Sequence, residues 1–162
     1  MINKVLPAIR EQWPDESKEV IIQQDNAKPH LKLDKNLIPE LTKDGWRMGL
    51  QFQPANSPDF NVLDLGFFNA IQSLQHQKVV NTIDELIQAV EEAFWEHSVE
   101  TLQNTWLTYQ KVMESSLIIH GSNKYQLPHM HKRKLRNEGT LPDAITVPDE
   151  VIFHAIERLS EN

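Results

Sequence analysis

The chain has 162 residues, enough for one globular domain with a real core and too few for two of ordinary size. No run approaches the roughly 20 apolar residues of a membrane-spanning helix, and the charged, proline-bearing start MINKVLPAIREQWPDE does not read as a secretory leader. Cysteine is absent, which excludes disulfides, zinc–thiolate sites and thiol nucleophiles. The net charge of −7 argues against a strong autonomous grip on nucleic acid but leaves a carboxylate-lined metal site open.

Taken in chain order, Lys4 to Trp13 sets Val5, Leu6, Ile9 and Trp13 at helical spacing. VIIQQD, Val20 to Asp25, predicts a short buried strand ending at an acid. Leu33 to Lys43 predicts a helix, with Asp44-Gly45 as its C-cap. Met48, Leu50 and Phe52 alternate as a half-buried strand does, and Pro54 and Pro58 close it into a loop. From Asp64 on, helices dominate. LGFFNAIQSLQ puts Leu65, Phe68, Ile71 and Leu74 on one face. Thr82 and Glu85 form a capping box ahead of the stripe Ile83, Leu86, Ile87, Val90 and Phe94. A helix after Ser98 repeats Leu102, Trp106, Tyr109 and Met113, a stripe suited to a core or to a partner-helix seam. The four tryptophans, Trp13, Trp46, Trp95 and Trp106, read as core or helix-packing residues. Residues 122 to about 147 predict an extended arm with the basic run HMHKRKLR, and Val151 to Leu159 a last short helix.

Two passages carry the chemistry: IIQQDNAKPH (Ile21 to His30) and QPANSPDFNVLDLGFFNAIQ (Gln53 to Gln72). The first puts Asp25 at the carboxyl end of an apolar strand, where an α/β sheet exposes its ligand site. Asp-Asn after a strand is also common turn chemistry. The second puts Asp64 at the start of a helix, where a carboxylate is also favoured simply as a capping acid.

In this order, 39 residues from Asp25 to Asp64, the two passages resemble the catalytic domain of mariner-like transposases, most closely the plant-type branch. QQDNAKPH matches the strand-end motif of the family's second acid, which falls on Asp25. The third acid follows a Ser-Pro-Asp loop by five residues. Here that loop is Ser57-Pro58-Asp59, so the acid is Asp64, and Asp59 belongs to the loop. Further text, from TIDELIQAVEEAF to GSNKYQLPHM, extends the resemblance over about Lys4 to Met130.

The resemblance implies an α/β, ribonuclease-H-like fold whose first three strands lie outside this chain, followed by C-terminal helices and the arm. It divides the chain into a partial catalytic domain with helices, 1–121, and a basic arm with a terminal helix, 122–162. It implies two Mg²⁺ or Mn²⁺ ions held by three acids, since hard cations prefer oxygen ligands. A pair of such ions activates a water or a 3′-hydroxyl on one side of a phosphorus and stabilises the leaving oxygen on the other. The complete protein would cut transposon ends and join them to target DNA in the nucleus, with no membrane or small-molecule substrate.

The family's first acid has no counterpart here: Glu11, Asp15, Glu16 and Glu19 fall in the first helix or the turn after it. The expectation is therefore a transposase fragment, inactive alone. The alternative is a non-catalytic module, homo-oligomeric through the Leu102–Met113 helix or bound to DNA or a full-length transposase. Asn26 and His30 match the motif, and either orient Asp25 and its metal-bound water or hold the turn and cap the next helix. Lys132, Arg133 and Lys134 are candidate DNA contacts against the default of a solvated charge run. His120, His129 and His131 are a weak metal candidate for want of a regular ligand spacing.

Overall fold

The computed structural model describes residues 1–14, 16–28, 36–127 and 129–160. It is a mixed α/β protein of two compact units, Met1–Asn56 and Ser57–Asn162, a division that lies within the span read from the sequence as one catalytic domain.

In the first unit, helix α1 (Val5–Gln12) precedes strand β1 (Glu19–Gln24), and the short helix α2 (Leu37–Leu41) leads into strand β2 (Arg47–Phe52). The strands pair in parallel, Val20 opposite Met48, Ile22 opposite Leu50 and Gln24 opposite Phe52. Parallel neighbours need a crossover, and α2 lies in it. Strand alternation does the rest. Val20 and Met48 turn to one face and are buried with Leu6, Leu37 and Trp46, while Ile2, Ile9, Ile22, Leu41 and Leu50 pack around them. The opposite face is exposed, with Ile21 at 70%. Glu19, assigned to a turn from the sequence, is the first residue of β1 and pairs with Arg47 directly across the ladder. Arg10 on α1 reaches Glu40 on α2 at 3.2 Å and also donates to its carbonyl. Helix α2 ends at Leu41 with Thr42 as its C-cap, two residues short of the predicted end at Lys43. The left-handed pair Asp44 (φ 56°) and Gly45 (φ 80°) lies in a separate 3-10 turn, Lys43–Gly45, rather than capping α2. The predicted helix onset at Leu33 lies outside the described residues.

The second unit opens with a 3-10 turn, Pro58–Phe60, and a π-helical turn, Leu63–Phe67, running straight into α3 (Phe68–Gln75). Helices α4 (Ile83–Trp95), α5 (Val99–Ile118), α6 (Lys132–Asn137) and α7 (Asp149–Ser160) follow. At α4 the predicted Thr82 N-cap forms, and the reciprocal bond of the box falls one residue before it, at Asn81. Thr82 Oγ1 accepts from Glu85 N–H at 3.2 Å, and the Glu85 carboxylate reaches back to Asn81 N–H at 2.7 Å. Ser98 caps α5 in the same way.

Two expectations are corrected in this unit and a third across both. On α4 the buried positions are Ala89 and Ala93, while the large residues of the predicted stripe stay exposed, Ile83 at 77%. The small alanines lie on the packed side of the helix, and of the bulky stripe Phe94 meets Phe67 edge-on at 6.0 Å while staying half-exposed. On α5 the predicted stripe is only partly covered. The buried residues are Leu107 and Val112 together with Thr105, Glu114 and Ser116. These hydroxyls are tolerated because they are bonded, Thr105 to Thr101 O at 3.0 Å and Ser116 to Ser122 O at 3.3 Å. Of the tryptophans only Trp46 is buried. Trp95 is 83% exposed, edge-on to Phe94.

The arm also departs from its reading. Residues 132–137 form a helix because Lys132 and Arg136, one turn apart, both reach α5. Lys132 Nζ donates to Asn104 O at 2.8 Å and to Thr108 Oγ1. Arg136 donates to Glu100 at 2.8 Å, Asn104 at 3.0 Å and Gln103 at 3.1 Å. Gly139 (φ 67°) then ends α6 in a left-handed cap, with Thr140 N–H returning to Leu135 O at 2.9 Å. Further along, Ile145 N–H donates to Gln110 Oε1 at 2.6 Å, holding the arm back along α5. Helix α7 starts at Asp149, two residues before the predicted onset.

Candidate acidic site

Asp25 is the first residue past the carboxyl end of β1, and its side chain is exposed. Its Oδ1 accepts from Ala27 N–H at 3.0 Å, the Asx turn anticipated from Asp-Asn. The next residue fixes where this turn stands. Asn26 Nδ2 donates to Gln53 O at 2.8 Å, and Gln53 N–H donates to Gln24 O at 2.9 Å. The ladder thus extends one rung beyond the strands, and the Asn26 amide ties the ends of β1 and β2 together. Of the two roles weighed for Asn26, this geometry is the turn-holding one, and it positions Asp25 through the backbone. His30 lies outside the described residues.

In the second unit Asp64 sits on the π-helical turn that opens α3, also exposed. Asn61 organises it. Asn61 Oδ1 accepts from Leu63 N–H at 3.1 Å, which fixes the amide so that Nδ2 donates to Asp64 Oδ2 at 2.7 Å. Asp64 keeps Oδ1 for another ligand in this arrangement. By residue type and place beside the Ser57-Pro58-Asp59 loop, Asn61 reads as a turn former; the signal for its further role is its position three residues before the acid.

The Ser57–Phe60 turn is held from the other side by two tyrosines. Tyr125 Oη donates to Asp59 Oδ2 at 3.3 Å, and Tyr109 Oη approaches Phe60 O at 3.5 Å. Burial raises the pKa of both phenols above the ordinary tyrosine value, and for Tyr125 the Asp59 charge and the bond to it add to the effect. One oxygen of Asp59 thus takes part in holding its loop. Beneath Asp64 the turn comes very close to α5. A Cβ placed on Gly66 would lie 3.1 Å from Thr105 Cγ2, so a larger residue here requires Thr105 to give by a few tenths of an ångström.

The donor chemistry suits a hard divalent cation, because both acids present carboxylate oxygens at exposed turns. The donor number falls short: among the described residues no three His, Asp or Glu side chains gather to hold one ion. Such an ion would rely on water or phosphate oxygens for the rest of its shell. The histidine candidate is not assembled either. His129 and His131 stand ring to ring with centroids 4.2 Å apart, while His120 lines a different pocket, with Leu117 and His154. Comparison with known protein families, curated proteins and solved structures finds no match to this chain.

Proposed function

We propose that this chain is part of the catalytic domain of a mariner-like DNA transposase of the plant-type branch, with a ribonuclease-H-like fold. Asp25 and Asp64 are the second and third acids of its Mg²⁺ or Mn²⁺ site. The observation that carries this reading is the local build of the first motif. QQDNAKPH sets Asp25 at the carboxyl end of a parallel strand and spends Asn26 on locking that end to its neighbour. Bracing of this kind around a strand-end carboxylate suits a ligand position in an open α/β sheet. The Asn61–Asp64 pair supports it independently, since the amide orients one carboxylate oxygen and leaves the other for a cation.

The bound ions would supply a polarised phosphorus and an activated water or 3′-hydroxyl for cutting and joining DNA in the nucleus. This chain's own contribution is to orient the two carboxylates. With two acids it is expected to bind metal weakly and to turn over no substrate alone. Mn²⁺ titration followed by NMR tests the assignment. Amides of residues 24–27 and 61–66 should broaden first, Mg²⁺ should reverse the effect, and Asp25→Asn should spare only the first group. Broadening centred elsewhere in the chain refutes it.

A second reading, a non-catalytic interaction module, is supported by the apolar residues left exposed on α4, above all Ile83 and Ile87. The Leu102–Met113 helix suits that role less, because Leu107 and Val112 of α5 are buried within their own unit. A molecular mass that stays monomeric at millimolar concentration counts against self-association.

A further inference from the structure

The basic run that opens α6 divides into two sets with different duties. Lys132 and Arg136 point back to α5 and are bonded there. Arg133 and Lys134 are exposed and make no bond to α5; with His129, His131 and the Lys132 side chain they line an open cleft of about 810 Å³ that reaches Asn104 of α5.

The cleft is built by two local devices. His131 adopts a left-handed backbone (φ 50°), and its N–H donates to His129 Nδ1 at 3.2 Å. That bond makes Nδ1 an acceptor, so a neutral His129 carries its proton on Nε2. The same turn brings the two imidazoles together at 4.2 Å. Among the described residues the only acid in the lining is Glu138, 3.9 Å from Lys134. Four cations in the five positions 132–136 repel one another, and burial together with Arg136 lowers the basicity of Lys132. An anion in the cleft relieves that repulsion.

We propose that the cleft formed by His129, His131, Arg133 and Lys134 over Asn104 binds the phosphodiester backbone of duplex DNA. The roles of the basic run are thereby separated: Arg133 and Lys134 meet phosphate, and Lys132 holds α6 in place. The ligand choice rests on the proposed transposase function, while the cleft and its charge do not. Contact with phosphate alone carries no base preference. Binding is therefore sequence-independent and falls steeply with salt.

The test uses the full chain and a labelled 20-base-pair duplex in EDTA, followed by fluorescence anisotropy across a salt series. Variant R133Q/K134Q should bind more weakly throughout and lower the salt slope by about 2, one for each phosphate no longer neutralised. H129Q/H131Q should weaken binding with the salt slope of the wild type at pH 8. Because EDTA keeps every cation off the acids, binding is read without the metal site, which separates failure of the metal assignment from failure of the cleft. Inorganic phosphate at matched ionic strength should compete only in the millimolar range. Unchanged affinity and slope in R133Q/K134Q overturn the proposal, as does submillimolar displacement by free phosphate, which would make the cleft a small-anion site. A preference for RNA over the duplex overturns it too.

Discussion

Replacing Gly66 with alanine probes how the turn bearing Asp64 is seated. The added Cβ would lie 3.1 Å from Thr105 Cγ2 and 3.2 Å from Thr105 Oγ1. Thr105 is buried, and its hydroxyl is bonded to Thr101 O at 3.0 Å, so it cannot rotate away without losing that bond. Overpacking of this kind costs about 1–3 kcal/mol. Alanine's better helix propensity returns about 1 kcal/mol. Gly66→Ala should therefore destabilise the chain by about 1 kcal/mol net, read as a lower urea midpoint with an unchanged slope. Thr105→Ala removes both clashing atoms, so in that background Gly66→Ala should be neutral or stabilising. The double-mutant cycle should show a coupling of about 1–2 kcal/mol. Equal effects of Gly66→Ala in the two backgrounds would refute the close approach between turn and helix.

Other expectations follow from the same geometry. Thr82→Ala removes the acceptor for Glu85 N–H and should cost about 1 kcal/mol, whereas Thr82→Ser should cost much less; thermal unfolding distinguishes them. Lys132→Met should release α6 from α5, seen as faster amide exchange over residues 132–137, while Lys134→Met leaves exchange there unchanged. Tyr109 and Tyr125 hold their protons more tightly when folded, so above about pH 10 the unfolded chain binds fewer protons and stability falls as pH rises. Tyr125→Phe should flatten that alkaline decline, as measured by urea midpoints between pH 9 and 11.

Much of the local structure is legible in the sequence because it depends on near neighbours. The alternation of Met48, Leu50 and Phe52 and the Thr82 cap of Glu85 N–H are decided within a few residues and form as read, and Asp44-Gly45 turns the chain as its residue types dictate, though apart from the end of α2. What fails depends on partners that sequence does not name. Periodicity locates the apolar side of α4, but the packed side is set by Ala89 and Ala93, whose small volume matters only against a neighbouring helix. The helix at 132–137 escapes because its apolar periodicity is poor. It is held by charged side chains reaching α5, and its anchors, Asn104, Thr108 and Glu100, lie 24 to 36 residues away in the chain.

The acids divide in the same way. Asp25 and Asp64 are visible as residue types at the ends of recognisable runs; the groups that orient them are less so. Sequence offers Asn26 either as an orienter of Asp25 or as a holder of the turn, but not its partner: the amide spans 27 residues to Gln53 and closes the strand ends. It gives Asn61 no role beyond the turn, yet that side chain is bonded directly to Asp64. Removing each amide therefore separates two kinds of support. Asn26→Ala should loosen the β1–β2 end and shift Asp25 with it, changing stability and metal response together. Asn61→Ala frees Asp64 Oδ2 from a neutral donor, with smaller consequences for the fold because the bond is exposed. If Asp64 is a metal ligand, that variant should alter Mn²⁺ broadening at residues 61–66 while leaving the urea midpoint nearly in place. If Asp64 is only the acid of a helix-opening turn, Asn61→Ala should change stability alone. The contrast tests the functional assignment at Asp64, independently of the strand-end bracing at Asp25.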